Sequence, residues 1–143
     1  MAKKLTDEQL TIVIANERKN NGEPSYINQE IDMISWRQAT YYMHVNNIDT
    51  TADMKIQESD VSGSGHADIA GTAITQLTGS SDDTPVAIEV DSTVSARKRY
   101  QKVIATVGNG TIGADLMIYV VLSGYRGTAT QVANAGQDEI VSV

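Results

Sequence analysis

Polar and apolar residues alternate with a period of two along most of the chain, and no window of about eleven residues carries the i, i+3, i+4, i+7 apolar stripe of a helix. Successive side chains of a strand point to opposite faces, so this alternation predicts half-buried strands. The plainest case is Gln38 to Asn46: Ala39, Tyr41, Met43 and Val45 share one face, and Thr40, Tyr42 and His44 share the other. The adjacent tyrosines therefore part company, one to the core and one to a surface or interface. Ala52 to Ser59 repeats the alternation, with Met54 and Ile56 set between Lys55 and Gln57. With the turn residues Asn46 to Thr50 between them, these two segments predict a hairpin.

Five more segments follow the same logic. Gln9 to Ala15 alternates through Leu10, Ile12 and Ile14 and stops at Asn16, before a polar loop that runs to Ser25. Tyr26 to Ile34 is apolar at Ile27, Ile31 and Ile34, a spacing that leaves its type open. Val86 to Asp91, Arg99 to Val107 and Ala114 to Ser123 are rich in β-branched residues and tyrosine. Gly108 to Gly113 holds three glycines, which suits a tight connection, and predicts a second hairpin between the segments it joins. Asp60 to His66 and Thr78 to Pro85 read as loops, with short turns or strands from Ile69 to Leu77 between them. About seven strands at such spacing predict an all-β chain: one antiparallel β-sandwich or jelly roll. The expected body is residues 9–125, with an N-terminal arm at 1–8 and a C-terminal arm at 126–143 whose tip is apolar at Ile140, Val141 and Val143.

Composition narrows the function classes. A chain of 143 residues suits one domain with one core. The longest apolar run, Leu116 to Leu122, is far short of the ~20 residues of a membrane-spanning helix, and Met1 to Glu8 lacks the apolar stretch of a secretory signal. Synthesis in a cytoplasm and no membrane partner are the expectations. Cysteine is absent, which removes disulfides and all thiolate chemistry. The net charge of −7 repels phosphate backbones, so no nucleic-acid partner is expected.

Candidate chemistry is sparse. The two histidines, His44 within a strand and His66 in the Gly-Ser loop, have no neighbours at metal or triad spacing; the first reads as an ordinary sheet position and the second as solvated. The acidic pairs Asp49 and Asp53, Glu58 and Asp60, and Asp82 and Asp83 do not follow a calcium-loop spacing and read as solvated turn residues. No catalytic residue, metal site or cofactor is expected, and the chain reads as a non-enzyme. Arg97, Lys98 and Arg99 form the one positive run of an acidic chain. That run reads either as a solvated strand entrance or as a contact with acidic groups of a neighbour or subunit. Tyr125 and Arg126, at the root of the arm, and Ile140, Val141 and Val143, at its tip, complete the expected partner interface; the tip would add as a strand to another subunit's sheet edge. Trp36 is a further anchor.

The order of several short motifs adds to this. Lys55-Ile56-Gln57-Glu58-Ser59-Asp60 closes a strand, a Gly-Ser loop follows, and then come Lys98-Arg99-Tyr100-Gln101-Lys102-Val103, Gly110-Thr111-Ile112-Gly113-Ala114 and Val120-Val121-Leu122-Ser123-Gly124-Tyr125-Arg126. Across about residues 9–127 this resembles a family of small tailed-phage virion proteins, the capsid decoration or cement proteins. Two elements depart from the pattern: Ser92 to Ala96 stands where a Gly-Tyr-x-Gly element is usual, and Tyr125 where a proline is usual. The resemblance implies a β-sandwich virion subunit on the outer capsid surface, bound to the major capsid protein, stabilising its lattice and assembled as a homo-oligomer, a trimer. Two alternatives stay open: a neck or tail-surface subunit of the same particle, and a carbohydrate-binding sandwich presenting Trp36, Tyr42 and Tyr26.

Overall fold

The period-two segments form strands because alternation lets each strand bury one face against a second sheet and leave the other in water. A computed structural model describes residues 9–19 and 26–125. The two expected arms and residues 20–25 of the first loop lie outside the described residues. The strands are β1 (Leu10–Lys19), β2 (Tyr26–Asp32), β3 (Gln38–Asn46), β4 (Thr51–Ser59), β5 (Ala67–Asp68), β6 (Leu77–Thr78), β7 (Pro85–Asp91), β8 (Tyr100–Val107) and β9 (Ala114–Ser123). The bounds read from the sequence for β3 and β9 are those observed, and β2 takes the strand form its isoleucine spacing left open.

The strands make two antiparallel sheets. One has the order β1-β9-β3-β7; the other has β2-β8-β4-β5, with β6 also paired to β4. From β1 to β4, and again from β7 to β9, each strand joins the sheet opposite its predecessor, the weave of a double-sheet jelly roll. Neither expected hairpin exists. β3 pairs with β7 and β9, whereas β4 pairs with β5, β6 and β8. Likewise β8 lies between β2 and β4, and β9 between β1 and β3. The connections 47–50 and 108–113 bridge sheets that stack about 10 Å apart instead of turning within one sheet. Glycine is needed in the second for closeness: a Cβ on Gly108 would meet Thr50 and Thr51, and one on Gly110 would meet Asp49.

β1 runs four residues beyond its expected end because of a bulge. The register with β9 slips between Val13 and Ala15, leaving Ile14 as the extra residue. The slip changes which parity faces inward, so Leu10 and Ala15 are both buried although an even spacing would put them on opposite faces.

The core lies between the sheets. Ala39, Tyr41, Met43 and Val45 of β3 and the inward residues of β9 from Ala114 to Leu122 meet Met54 and Ile56 of β4 and Val103, Ala105 and Val107 of β8. Burying each of the larger aliphatic side chains is worth roughly 1.5–3 kcal/mol. Tyr41 donates its hydroxyl proton to Gln101 Oε1 at 2.9 Å, which satisfies two polar groups inside this core. Trp36 and Tyr125 close one end, ring centroids 5.1 Å apart. Along β4 the segment after β5 completes the sheet irregularly: Ile56 N–H donates to Thr72 Oγ1 at 3.1 Å, and Ile69 and Ile74 donate to the carbonyls of Ile56 and Met54.

Candidate functional site

The two sheets present outer faces of opposite chemistry, and the register explains how. On the five-stranded sheet the outward rows set Lys102 beside Glu30 and Gln57, Gln57 beside Asp68, and Tyr100 beside Asp32. Charges close into pairs on this side. Lys55 Nζ lies 2.9 Å from Asp68 Oδ2, and the Lys55 ammonium followed by the Gln57 amide holds the Asp68 carboxyl below the usual carboxylate range.

Arg97, Lys98 and Arg99 find their acidic partners within the chain. Arg97 lies 3.7 Å from Glu58, Lys98 Nζ 3.6 Å from Asp60, and the Lys98 N–H donates to Glu58 Oε2 at 3.0 Å. Arg99 grips Asp32 through Nε and Nη2, both at 2.9 Å, and so depresses the Asp32 pKa. The acids that answer this basic run sit on β2, on β4 and just after it, far away in sequence. Tyr125 is 2% exposed and its ring packs against Trp36. Arg126, Ile140, Val141 and Val143 lie outside the described residues.

His66 is not solvated. Its side chain is 5% exposed, with Nε2 3.0 Å from Glu30 Oε2, because the Gly-Ser loop folds back over β2. Glu30 accepts from Ser62 Oγ at 2.6 Å and from Gly63 N–H at 2.8 Å, and these bonds lower its pKa. The other acidic pairs also have local partners. Asp49 accepts the N–H groups of Ile112, at 2.9 Å, and Thr111, which together lower its pKa and hold the 108–113 connection. Asp53 accepts from Gln76 Nε2 at 2.8 Å, and Asp82 from Ile48 N–H at 2.9 Å. Among the described residues no group of three or more His, Asp and Glu could hold a metal ion, and no helix is long and apolar enough to cross a membrane.

The outer face of the four-stranded sheet differs in kind. Its central outward row runs Val13, Tyr119, Tyr42, Ala87 across β1, β9, β3 and β7. On one side lies the row Asn16, Met117, His44, Pro85; on the other lies Thr11, Val121, Thr40, Glu89. Glu89, at the edge, is the one carboxylate in the twelve positions. Val13 is 57% and Met117 41% exposed. Tyr42 and Tyr119 stack at 5.0 Å with 19° between their planes, each ring covering a face of the other, an arrangement unlike the flat exposed platform that sugar stacking uses. Trp36, buried at 4%, supplies no platform either. The side chain of Tyr26 lies outside the description. His44 is half exposed on this face, with Nε2 3.6 Å from Asp83 Oδ1. Arg18 and Asp115 pair at 2.9 Å and mark where charge resumes. Sequence alternation sets Thr11 and Val13, and Thr40, Tyr42 and His44, apart from the core positions of their strands, but places Asn16 and Pro85 in loops; what it does not show is that three consecutive rows fall side by side.

No protein-family model and no curated protein matches the chain. Solved structures do. The PBSX exported protein XepA matches with a TM-score of 0.60 at 13% identity, over 100% of this chain and 45% of XepA. This chain thus spans less than half of that protein, and the likeness shows a shared fold. A pilus subunit of Bacillus endospore appendages gives a TM-score of 0.49 at 14% identity, over 87% of this chain and 93% of that one. The SPBc2 prophage-derived protein YomS gives 0.48 at 8% identity, over 85% and 98%.

Proposed function

We propose that this protein is a non-catalytic structural subunit of a tailed-phage particle, a decoration or cement protein that binds the outer surface of the head, contacts the major capsid protein and stabilises its lattice. The observation that carries the reading is the contrast between the two outer faces. One sheet carries several ion pairs on its outer face, and the other has across its four strands a patch in which Glu89 is the one carboxylate, the kind of surface a subunit covers on assembly. The motif order from Lys55 to Arg126 supports the phage assignment. So does the fold shared with a PBSX exported protein, as an analogy of architecture. A rigid jelly roll is also a common capsid building block.

The test is direct. Purified heads lacking the protein are mixed with it, sedimented and imaged, and the bound copies are counted. Saturable binding at lattice positions, with greater resistance of the heads to heat or chelation, is the expected result. Binding confined to the neck or tail would move the subunit to that part of the particle, and absence of binding to any part of it would sink the reading.

A further inference from the structure

We propose that the outer face of the four-stranded sheet is a self-association surface, and that its occupant is a second copy of this chain laid face to face about a two-fold axis. The axis runs along the strands, between β9 and β3. The inference rests on the same outer face as the phage reading and is tested apart from it, on two copies in solution.

Charge selects the occupant. Two subunits of net charge −7 repel each other through most mutual orientations, and like charges brought together across an interface oppose association. The orientation that avoids this presents to each copy the three rows of the other, in which Glu89 at the edge is the one carboxylate. A positively charged partner, by contrast, would find one carboxylate, Glu89, within the three rows.

The register makes the face complementary to itself. A two-fold axis along the strands exchanges β9 with β3 and β1 with β7. Within the central row it sets Tyr42 over the partner's Tyr119 and Val13 over the partner's Ala87, a larger side chain above a smaller one. In the next row Met117 comes over the partner's His44. Thr11 comes over the partner's Glu89, so the edge carboxylate meets a hydroxyl and not a second carboxylate. Sheets stacked this way cross at about 30°, which keeps contacts near the axis in register and relaxes those at the corners.

The size fits a weak contact. Four strands about 4.8 Å apart and three rows about 6.6 Å apart give roughly 400 Å² in projection, about half the ~800 Å² per partner of a standard interface, so the dimer should form toward the upper end of the concentration range. Tyrosine and methionine at its centre are the residue types enriched in such patches.

The experiment uses the full chain, in sedimentation velocity over about a hundredfold range of concentration, with Val13→Glu and Ala87→Lys. Both positions are exposed, and circular dichroism checks that each variant is folded. The wild type should show a concentration-dependent dimer, and each variant should raise the dissociation constant by at least about tenfold. Mixing the two should restore a heterodimer, because the carboxylate introduced on β1 of one copy then faces the ammonium introduced on β7 of the other. Lys102→Gln, on the opposite sheet, should leave the dimer unchanged. The proposal is overturned by a wild type that stays monomeric, by association that survives both substitutions, by a mixture that fails to recover, or by the mass of the trimer that the sequence resemblance implies. Tyrosine nitration identifies the occupant in a monomeric case: protected Tyr42 and Tyr119 would assign the face to the chain's own terminal segment, and reactive ones to a different partner.

Discussion

Tyr41 of β3 and Gln101 of β8 meet across the core, the tyrosine hydroxyl donating to Oε1 over 2.9 Å, and the bond ties one sheet to the other through side chains alone. Both residues are essentially inaccessible to solvent, and burial pushes the phenol pKa far upward, so the group stays a neutral donor at any pH the fold survives.

Tyr41→Phe removes the donor and leaves Gln101 with an unsatisfied acceptor in an apolar setting. The expected loss is about 1–3 kcal/mol, read as a lower urea midpoint at constant slope. The double variant Tyr41→Phe, Gln101→Met should recover most of it, since removing both partners leaves nothing stranded. A double variant less stable than Tyr41→Phe alone would show that the amide makes other contacts that matter more.

Thr72→Val keeps shape and deletes the acceptor for Ile56 N–H. We expect a stability loss of about 1–3 kcal/mol, together with faster amide exchange at Ile56 than at Val103, which lies on the neighbouring strand. Unchanged exchange at Ile56 would mean that the irregular segment does not protect this edge.

Gly110→Ala places a methyl group against Asp49 and Thr50 where the connection crosses between sheets. Overpacking of this kind costs typically about 1–3 kcal/mol. The thermal midpoint should fall, and Gly63→Ala supplies a contrast: its Cβ would meet nothing, leaving only the strain of its positive φ.

Acid should unfold the protein through its bonded carboxylates. Asp32, Asp49, Asp68 and Asp91 have folded pKa values below their ordinary 3.8, and Glu30 lies below 4.5. A depressed folded pKa contributes stability that is present above the unfolded value and is lost as pH falls through the folded one. Stability should therefore hold near neutrality and decline below about pH 5. Asp49→Ala should be less stable than the wild type at neutral pH, and the gap should close as pH drops. A gap independent of pH would mean that the Asp49 charge contributes nothing.

The triple variant Arg97→Ala, Lys98→Ala, Arg99→Ala separates local pairing from partner binding. The Lys98 and Arg99 pairs are well exposed and the Arg97 pair with Glu58 is more enclosed, so the loss of stability should be small and come mainly from Arg97. Particle binding that falls much further than stability does would assign the run to a partner.

Residue periodicity carries the strands but not their pairing. The alternation in Gln38 to Asn46 and Ala114 to Ser123 is enough to place both strands and the inward parity of Tyr41, Met43, Ile118 and Val120, because burial of one face is a local requirement. Which strand lies beside which is decided by the fit of two whole sheets. The glycine-rich segment 108–113 looks the same from within whether it turns back in one sheet or crosses to the other. His66 misleads for a similar reason: its partner Glu30 stands 36 positions earlier, and nothing near His66 announces it. The outer face of the four-stranded sheet is half legible, as residues facing away from the core on β1 and β3, and becomes a surface once register aligns Val13, Tyr119, Tyr42 and Ala87.

The weave of the sheets has a consequence for synthesis. β8 and β9 are the last described strands in the chain, yet each lies in the interior of its sheet, β9 dividing β1 from β3 and β8 dividing β2 from β4. Until they emerge, the earlier strands have their principal neighbours missing and cannot close a core, because those contacts are all long-range. A chain still leaving the ribosome should thus stay unfolded until β9 is out, and folding should begin as one late, concerted event. Shortening the chain from the C-terminal side into β9 should abolish the fold instead of trimming it.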